Sequence, residues 1–89
     1  MAVKNEEKES YKLLKNNISF NIRKYRKEKK FTQEQLAERA NISYDFMRRI
    51  ESRQNGCGFS IYTLYKIATA LGVKLDDLTE EQDDSVISL

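Results

Sequence analysis

Apolar residues return at steps of three and four over most of this chain, and each such run predicts a helix with one buried face. Tyr11, Leu14, Ile18, Ile22 and Tyr25 mark a first helix running to about Lys29. Leu36, Ala37 and Ala40 mark a second, Met47 and Ile50 a third, and Ile61, Leu64, Ile67, Ala68 and Leu71 a fourth. Val73, Leu75 and Leu78 suit a short fifth, with Asp76 and Asp77 near its start, where the helix dipole favours negative charge. With no proline and only three glycines in 89 residues, little in the chain interrupts helices. The fold class expected is all-α, with five helices.

Local signals place the ends of these helices. Thr32 and Gln35 form a T-x-x-Q capping box, and Phe31 stands before it in the position of a hydrophobic staple. Asn41, which tolerates the left-handed conformation, ends the second helix. Ile42 then turns into the core and Ser43 caps the third helix. Ser60 caps the fourth and Gly72 closes it. Between the third and fourth, residues 52–60 (SRQNGCGFS) carry two glycines and no periodicity, and read as a loop. The second and third helices therefore meet across a turn too tight for an ordinary helical hairpin, a helix-turn-helix over about 33–52. Ala37 is small enough to let the two helices approach. Anchored by Met47 and Ile50, the third helix leaves Tyr44, Asp45, Arg48 and Arg49 outward, a layout that points to DNA.

Composition narrows the class. A domain of this size buries only about 60% of the surface its unfolded chain exposes, so a large enclosed substrate pocket is not expected. A hydrophobic fraction of 39% with 34% charged residues fits a soluble helical domain, and no apolar run approaches the roughly 20 residues that span a bilayer. MAVKNEEKES lacks the apolar core of a secretory signal, so a cytoplasmic location is expected. Cys57 is the only cysteine and there is no histidine; neither an internal disulfide nor an ordinary zinc site can be assembled, and no metal or cofactor is expected. The commonest general acid/base is missing too, and the adjacent pairs Asp76/Asp77 and Asp83/Asp84 do not face each other on a helix, so the chain is not expected to be an enzyme.

The formal net charge of +2 conceals a gradient. Residues 1–30 carry ten Lys and Arg against four Glu, residues 31–60 balance, and residues 61–89 carry two cations against six acids. Arg23, Lys24, Arg26, Lys27, Lys29 and Lys30 crowd the end of the first helix, more cations than dipole compensation requires, and suit a polyanion. The expected organisation is a flexible arm over 1–9, a helix-turn-helix domain over 10–78 and an acidic tail over 79–89. The apolar Val86, Ile87 and Leu89 end that tail, either against a partner subunit or disordered.

The ordered set R-x-x-R, F-T-Q-E-Q-L-A, N-I-S, I-E and L-x-x-I-A-x-x-L-G-V, from about Ile18 to Leu78, resembles the Cro/repressor-type (Xre-like) helix-turn-helix family of phage and bacterial transcription regulators. The resemblance implies a five-helix phage-repressor-like domain with its third helix in the major groove of double-stranded DNA, in a homodimer on a two-fold operator. It places Gln33 against a phosphate and Ser43, Tyr44, Asp45, Arg48 and Arg49 against backbone and bases. Arginine can pair with guanine O6 and N7, while Asp45 could accept from cytosine N4, hold an arginine in place, or merely pair with Arg48 or Arg49 on the surface. Phe46 is a packing residue in this pattern, and Arg26 and Glu51 match a pair bridging the first helix to the end of the third. Three departures stand out: Asn41 replaces a turn glycine, Arg53 replaces the glycine after I-E ahead of a longer loop, and Arg48 stands where a small polar residue is common.

The function so implied is sequence-specific transcription regulation, most simply repression, with control through dimerisation, concentration or a regulatory protein partner. Restriction-modification controllers and antitoxins use similar short chains. An adaptor that keeps the fold without specific DNA binding is the alternative from another class, because fold alone does not establish function.

Overall fold

The computed structural model describes residues 5–52 and 58–81, with side chains from Glu9 onward. Among the described residues there are five helices and no strand: α1 (Asn5–Glu28), α2 (Gln33–Ala40), α3 (Tyr44–Glu51), α4 (Ile61–Leu71) and α5 (Leu75–Thr79). The expectations for residues 1–4, for Arg53 and Cys57 and for the tail beyond Glu81 lie outside the described residues. No helix of the described residues is long and apolar enough to cross a membrane.

Helix α1 takes in residues 5–9, which the apolar pattern left to the arm. NEEKE contains nothing that costs a helix much, and a helix already nucleated extends cheaply through such residues. At 24 residues α1 is about 36 Å long, against about 12 Å for an eight-residue helix. It is the spine on which α3, α4 and α5 pack, while α2 packs against α3 and α4. The shared core contains Ile18, Ile22, Leu36, Met47, Ile50, Ile67, Leu71 and Leu78.

The spine outruns that core, which corrects two expectations. Tyr11 and Leu14, at the predicted buried face, remain 57% and 42% exposed, because the shorter helices end before covering them. They border a shallow cleft with Ile18, Phe59 and Leu64. Ile61, expected in the buried stripe of α4, is 74% exposed, while Thr63 in the same turn is buried. The apolar residue at the first position of a helix lies at the edge of the core, where periodicity does not decide burial.

Helix ends follow the local signals, with one addition. The capping box forms in both directions, Gln35 N–H donating to Thr32 Oγ1 at 3.0 Å and Thr32 N–H to Gln35 Oε1 at 2.9 Å. Ser43 and Ser60 accept from the backbone N–H of Phe46 and Thr63. Helices α2 and α4 close on Asn41 (φ 57°) and Gly72 (φ 72°) in the left-handed region, with Ile42 N–H returning to the Ala37 carbonyl and Val73 N–H to that of Ala68. Lys30 closes α1 in the same way at φ 61°, with Phe31 N–H returning to the Arg26 carbonyl; nothing in a lysine announces that conformation.

Candidate nucleic-acid interface

Eight residues of α3 carry two faces of different character. Met47 and Ile50 are fully buried and Glu51, although charged, is 7% exposed. Arg26 of α1 reaches it through Nε to Oε2 at 2.7 Å and through Nη2 to Oε1 at 3.0 Å. The third arm of the same guanidinium, Nη1, donates to the Phe31 carbonyl at 2.8 Å. Arg26 therefore ties α1, the turn into α2 and the end of α3 into one unit, the bridging role the resemblance implied.

Gln33 completes this unit. Its Nε2 donates to Glu51 Oε1 at 3.1 Å, so the side chain lies half-buried across the end of α3. Glu51 accepts three hydrogen bonds from two other helices, and α2 and α3 are held at a fixed mutual angle. The amide of Gln33 keeps one N–H and its carbonyl oxygen for another partner. The sequence pattern pointed to a phosphate for this residue and missed its partner inside the fold.

A further tie went unread in the sequence. Ser19, buried on α1, donates its hydroxyl to the Ile50 carbonyl at 2.6 Å. Ile50 belongs to the last turn of α3, whose carbonyls have no intrahelical donors. Asn21 does the same for α5, donating Nδ2 to the carbonyls of Leu78 at 2.9 Å and Glu80 at 2.8 Å. Polar residues beside Ile18 and Ile22 on an otherwise apolar stripe were the available signal.

The other face of α3 points outward. Tyr44 is 46% exposed, and the side chains of Asp45, Arg48 and Arg49 are all more than half exposed. Phe46 is half-buried against the core, as a packing residue should be. Asp45 meets both arginines: Arg49 donates Nε and Nη2 to Asp45 Oδ2 at 3.1 and 2.8 Å, and Arg48 Nη2 lies 3.5 Å from Oδ1. The Arg48 guanidinium also sits over the Tyr44 ring, 5.6 Å from its centroid. Ser43 caps the helix through its oxygen, which leaves its hydroxyl proton free to donate. Five of the six residues singled out in the sequence thus share the exposed start and outer side of α3, and Gln33 alone turns inward. A helix with side chains is about 10–12 Å across, the width of the major groove of B-DNA.

The comparisons with known proteins give the family and the fold on which this face is carried. The chain is 42% identical to the immunity repressor protein of Bacillus phage phi105 over 62 residues, which are 68% of this chain and 41% of that protein. It therefore spans less than half the length of that relative. A solved structure described as a hypothetical transcription factor, NHTF, from Neisseria superposes with a TM-score of 0.73 at 22% identity, covering 85% of each chain, and shows the same fold. The Cro/C1-type helix-turn-helix DNA-binding domain matches residues 21–84, from the last third of α1 past the end of α5. With its two-helix motif locked on α1 and its third helix presenting a polar face, the chain belongs to the Cro/C1-type helix-turn-helix DNA-binding domain family.

Proposed function

We propose that this chain is a sequence-specific transcription regulator of the repressor type, which lays α3 in the major groove and binds a two-fold operator as a homodimer. The observation that carries the proposal is the division of α3 into a locked side and an outward side. Glu51, Ile50 and Met47 hold the helix rigidly, and Tyr44, Asp45, Arg48 and Arg49 project from it. Rigid placement matters because base readout is directional, while charge attraction alone is not. The repressor assignment is supported by the similarity to the phage immunity repressor, which extends over 41% of that protein.

In this arrangement Arg49 pairs with a guanine edge. Arg48 and the hydroxyl of Ser43 meet the flanking backbone, as does the N-terminal turn of α2, where the N–H groups of Gln33 and Glu34 precede the first intrahelical bonds. Exposed cations near the end of α1, including Arg23, Lys24 and Lys27, supply long-range attraction to the polyanion. Two copies would read half-sites about one helical turn apart.

The test is a titration of wild type and Arg49→Ala against duplex DNA from around the chain's own gene, at two salt concentrations. Saturable binding that exceeds random DNA by about 10³-fold, with the preference lost in the variant, is the expected result. Weak, sequence-blind binding that is equally salt-sensitive in both proteins would overturn the proposal and favour the adaptor.

A further inference from the structure

The structure assigns Asp45 as a positioning residue that reads no base itself and instead holds Arg49 so that one edge of its guanidinium faces a guanine. The inference rests on the DNA-binding reading above and concerns how specificity arises within it. Two of the five N–H donors of Arg49 are engaged by Asp45 Oδ2, the one on Nε and the one on Nη2 that lies beside it. These form the side of the guanidinium fork. The end of the fork, one N–H on Nη1 and the other on Nη2, is left open, and that parallel pair matches guanine O6 and N7. An arginine side chain has many rotamers, and a free one would have to be ordered at the moment of binding. Asp45 orders it beforehand.

Placement along the helix favours the same assignment. Asp45 stands one turn N-terminal to Arg49, the orientation in which an acid–base pair suits the helix dipole, and within the first turn of α3, where a carboxylate is favoured. Its second oxygen lies 3.5 Å from Arg48, a longer and weaker approach. Arg48 sits instead over the Tyr44 ring, without a close hydrogen bond to hold its guanidinium, and its charge is available to a phosphate. The two neighbouring arginines are thereby given different tasks by one carboxylate: Arg49, held by two bonds, is selective, and Arg48, approached only at 3.5 Å, is electrostatic.

A carboxylate that reads cytosine would present a lone pair to N4 at a base position of its own. Here Oδ2 accepts two N–H bonds from Arg49 and Oδ1 faces Arg48 at 3.5 Å. A carboxylate acting through Arg49 makes the position that depends on Asp45 the same one that Arg49 reads, whereas one reading with Oδ1 would make it a different one. This coincidence is measurable.

The experiment first selects a duplex from a random pool with the wild-type chain, then measures binding of wild type, Asp45→Asn, Asp45→Glu, Arg49→Ala and the double variant Asp45→Asn/Arg49→Ala to that duplex and to each of its single-base-pair substitutions. Far-ultraviolet circular dichroism and thermal melting check that each variant is folded. The expected result is that Asp45→Asn binds unselected DNA at least as tightly as wild type, having lost a negative charge. It loses about tenfold in preference for guanine at a single position, within the range one bidentate pair supplies. Arg49→Ala loses preference at that same position, the double variant loses no more than Arg49→Ala, and Asp45→Glu recovers part of the preference. Loss at a different position from that of Arg49, or an equal rise in affinity for every duplex, would overturn the assignment and leave Asp45 as a base reader or a merely repulsive charge. If wild type selects no sequence, the DNA-reading function itself fails and the assignment falls with it; if Arg49→Ala loses a base preference that Asp45→Asn keeps, the assignment alone fails.

Discussion

Two ion pairs end on the same eight-residue helix with nearly the same contact distance, 2.7 Å for Arg26–Glu51 and 2.8 Å for Asp45–Arg49, yet they do different work. The first is buried, with side chains 11% and 3% exposed, and couples residues 25 positions apart. The second is more than half exposed and joins residues one turn apart. In low dielectric a charge without its partner is expensive, so the buried pair cannot be broken without penalty; in water the exposed pair contributes little to the stability of the fold. Contact distance therefore says little about consequence. One pair builds the platform, and the other orients what the platform displays.

The sharpest way to break this contrast is to strand a charge on the buried side. Glu51→Ala leaves the Arg26 guanidinium and the Gln33 amide without their acceptor, and the expected loss is about 3–5 kcal/mol of stability. For a domain of this size a loss of about 1 kcal/mol lowers the melting temperature by roughly 4–8 °C, so calorimetry should find the variant largely unfolded or melting far below wild type. A near wild-type melt would mean that the buried pair is as dispensable as the exposed one.

Ser19→Ala probes the same platform with a neutral group. It removes the hydroxyl that serves the Ile50 carbonyl at the end of α3, and the expected cost is about 1–2 kcal/mol, since a buried acceptor loses its donor. Denaturant titration should show a lower midpoint with an unchanged slope. A change in slope would point to a rearranged end of α3 instead of a missing bond.

The smallest effect is expected on the outward side. Asp45→Asn should alter stability by no more than about 0.5 kcal/mol, and that difference should shrink as salt is added, because both partners are in water. Thermal melts at low and high ionic strength would show it. A loss comparable to that of Ser19→Ala would place the Asp45–Arg49 pair in the platform after all.

The same contrast separates what could be read in the chain from what could not. Thr32, Gln35, Asn41, Ser43, Ser60 and Gly72 were legible as caps because each acts on backbone groups a few residues away, and the structure shows all of them doing so. Asp45–Arg49 was legible as a possible pair because helical spacing makes such neighbours touch. The inward turn of Gln33 was not, since its partner lies 18 residues further on. Nor were Ser19 and Asn21, whose acceptors lie 31 and 57 residues away and are backbone carbonyls that any residue carries.

The sequence by itself determined five helices, their boundaries to within a few residues except at the start of α1, the tight turn between the second and third, and which side of α3 is polar. Those properties depend on periodicity and on contacts within one turn, and both are written directly in residue order. Tertiary structure alone decided that Ile61, Tyr11 and Leu14 stay exposed, that Lys30 adopts a left-handed backbone, and that α1 caps the ends of α3 and α5. It also decided that Asp45 lies closer to Arg49 than to Arg48, because each of these outcomes depends on where one helix ends relative to another, or on which of several nearby groups lies closest once the chain is folded.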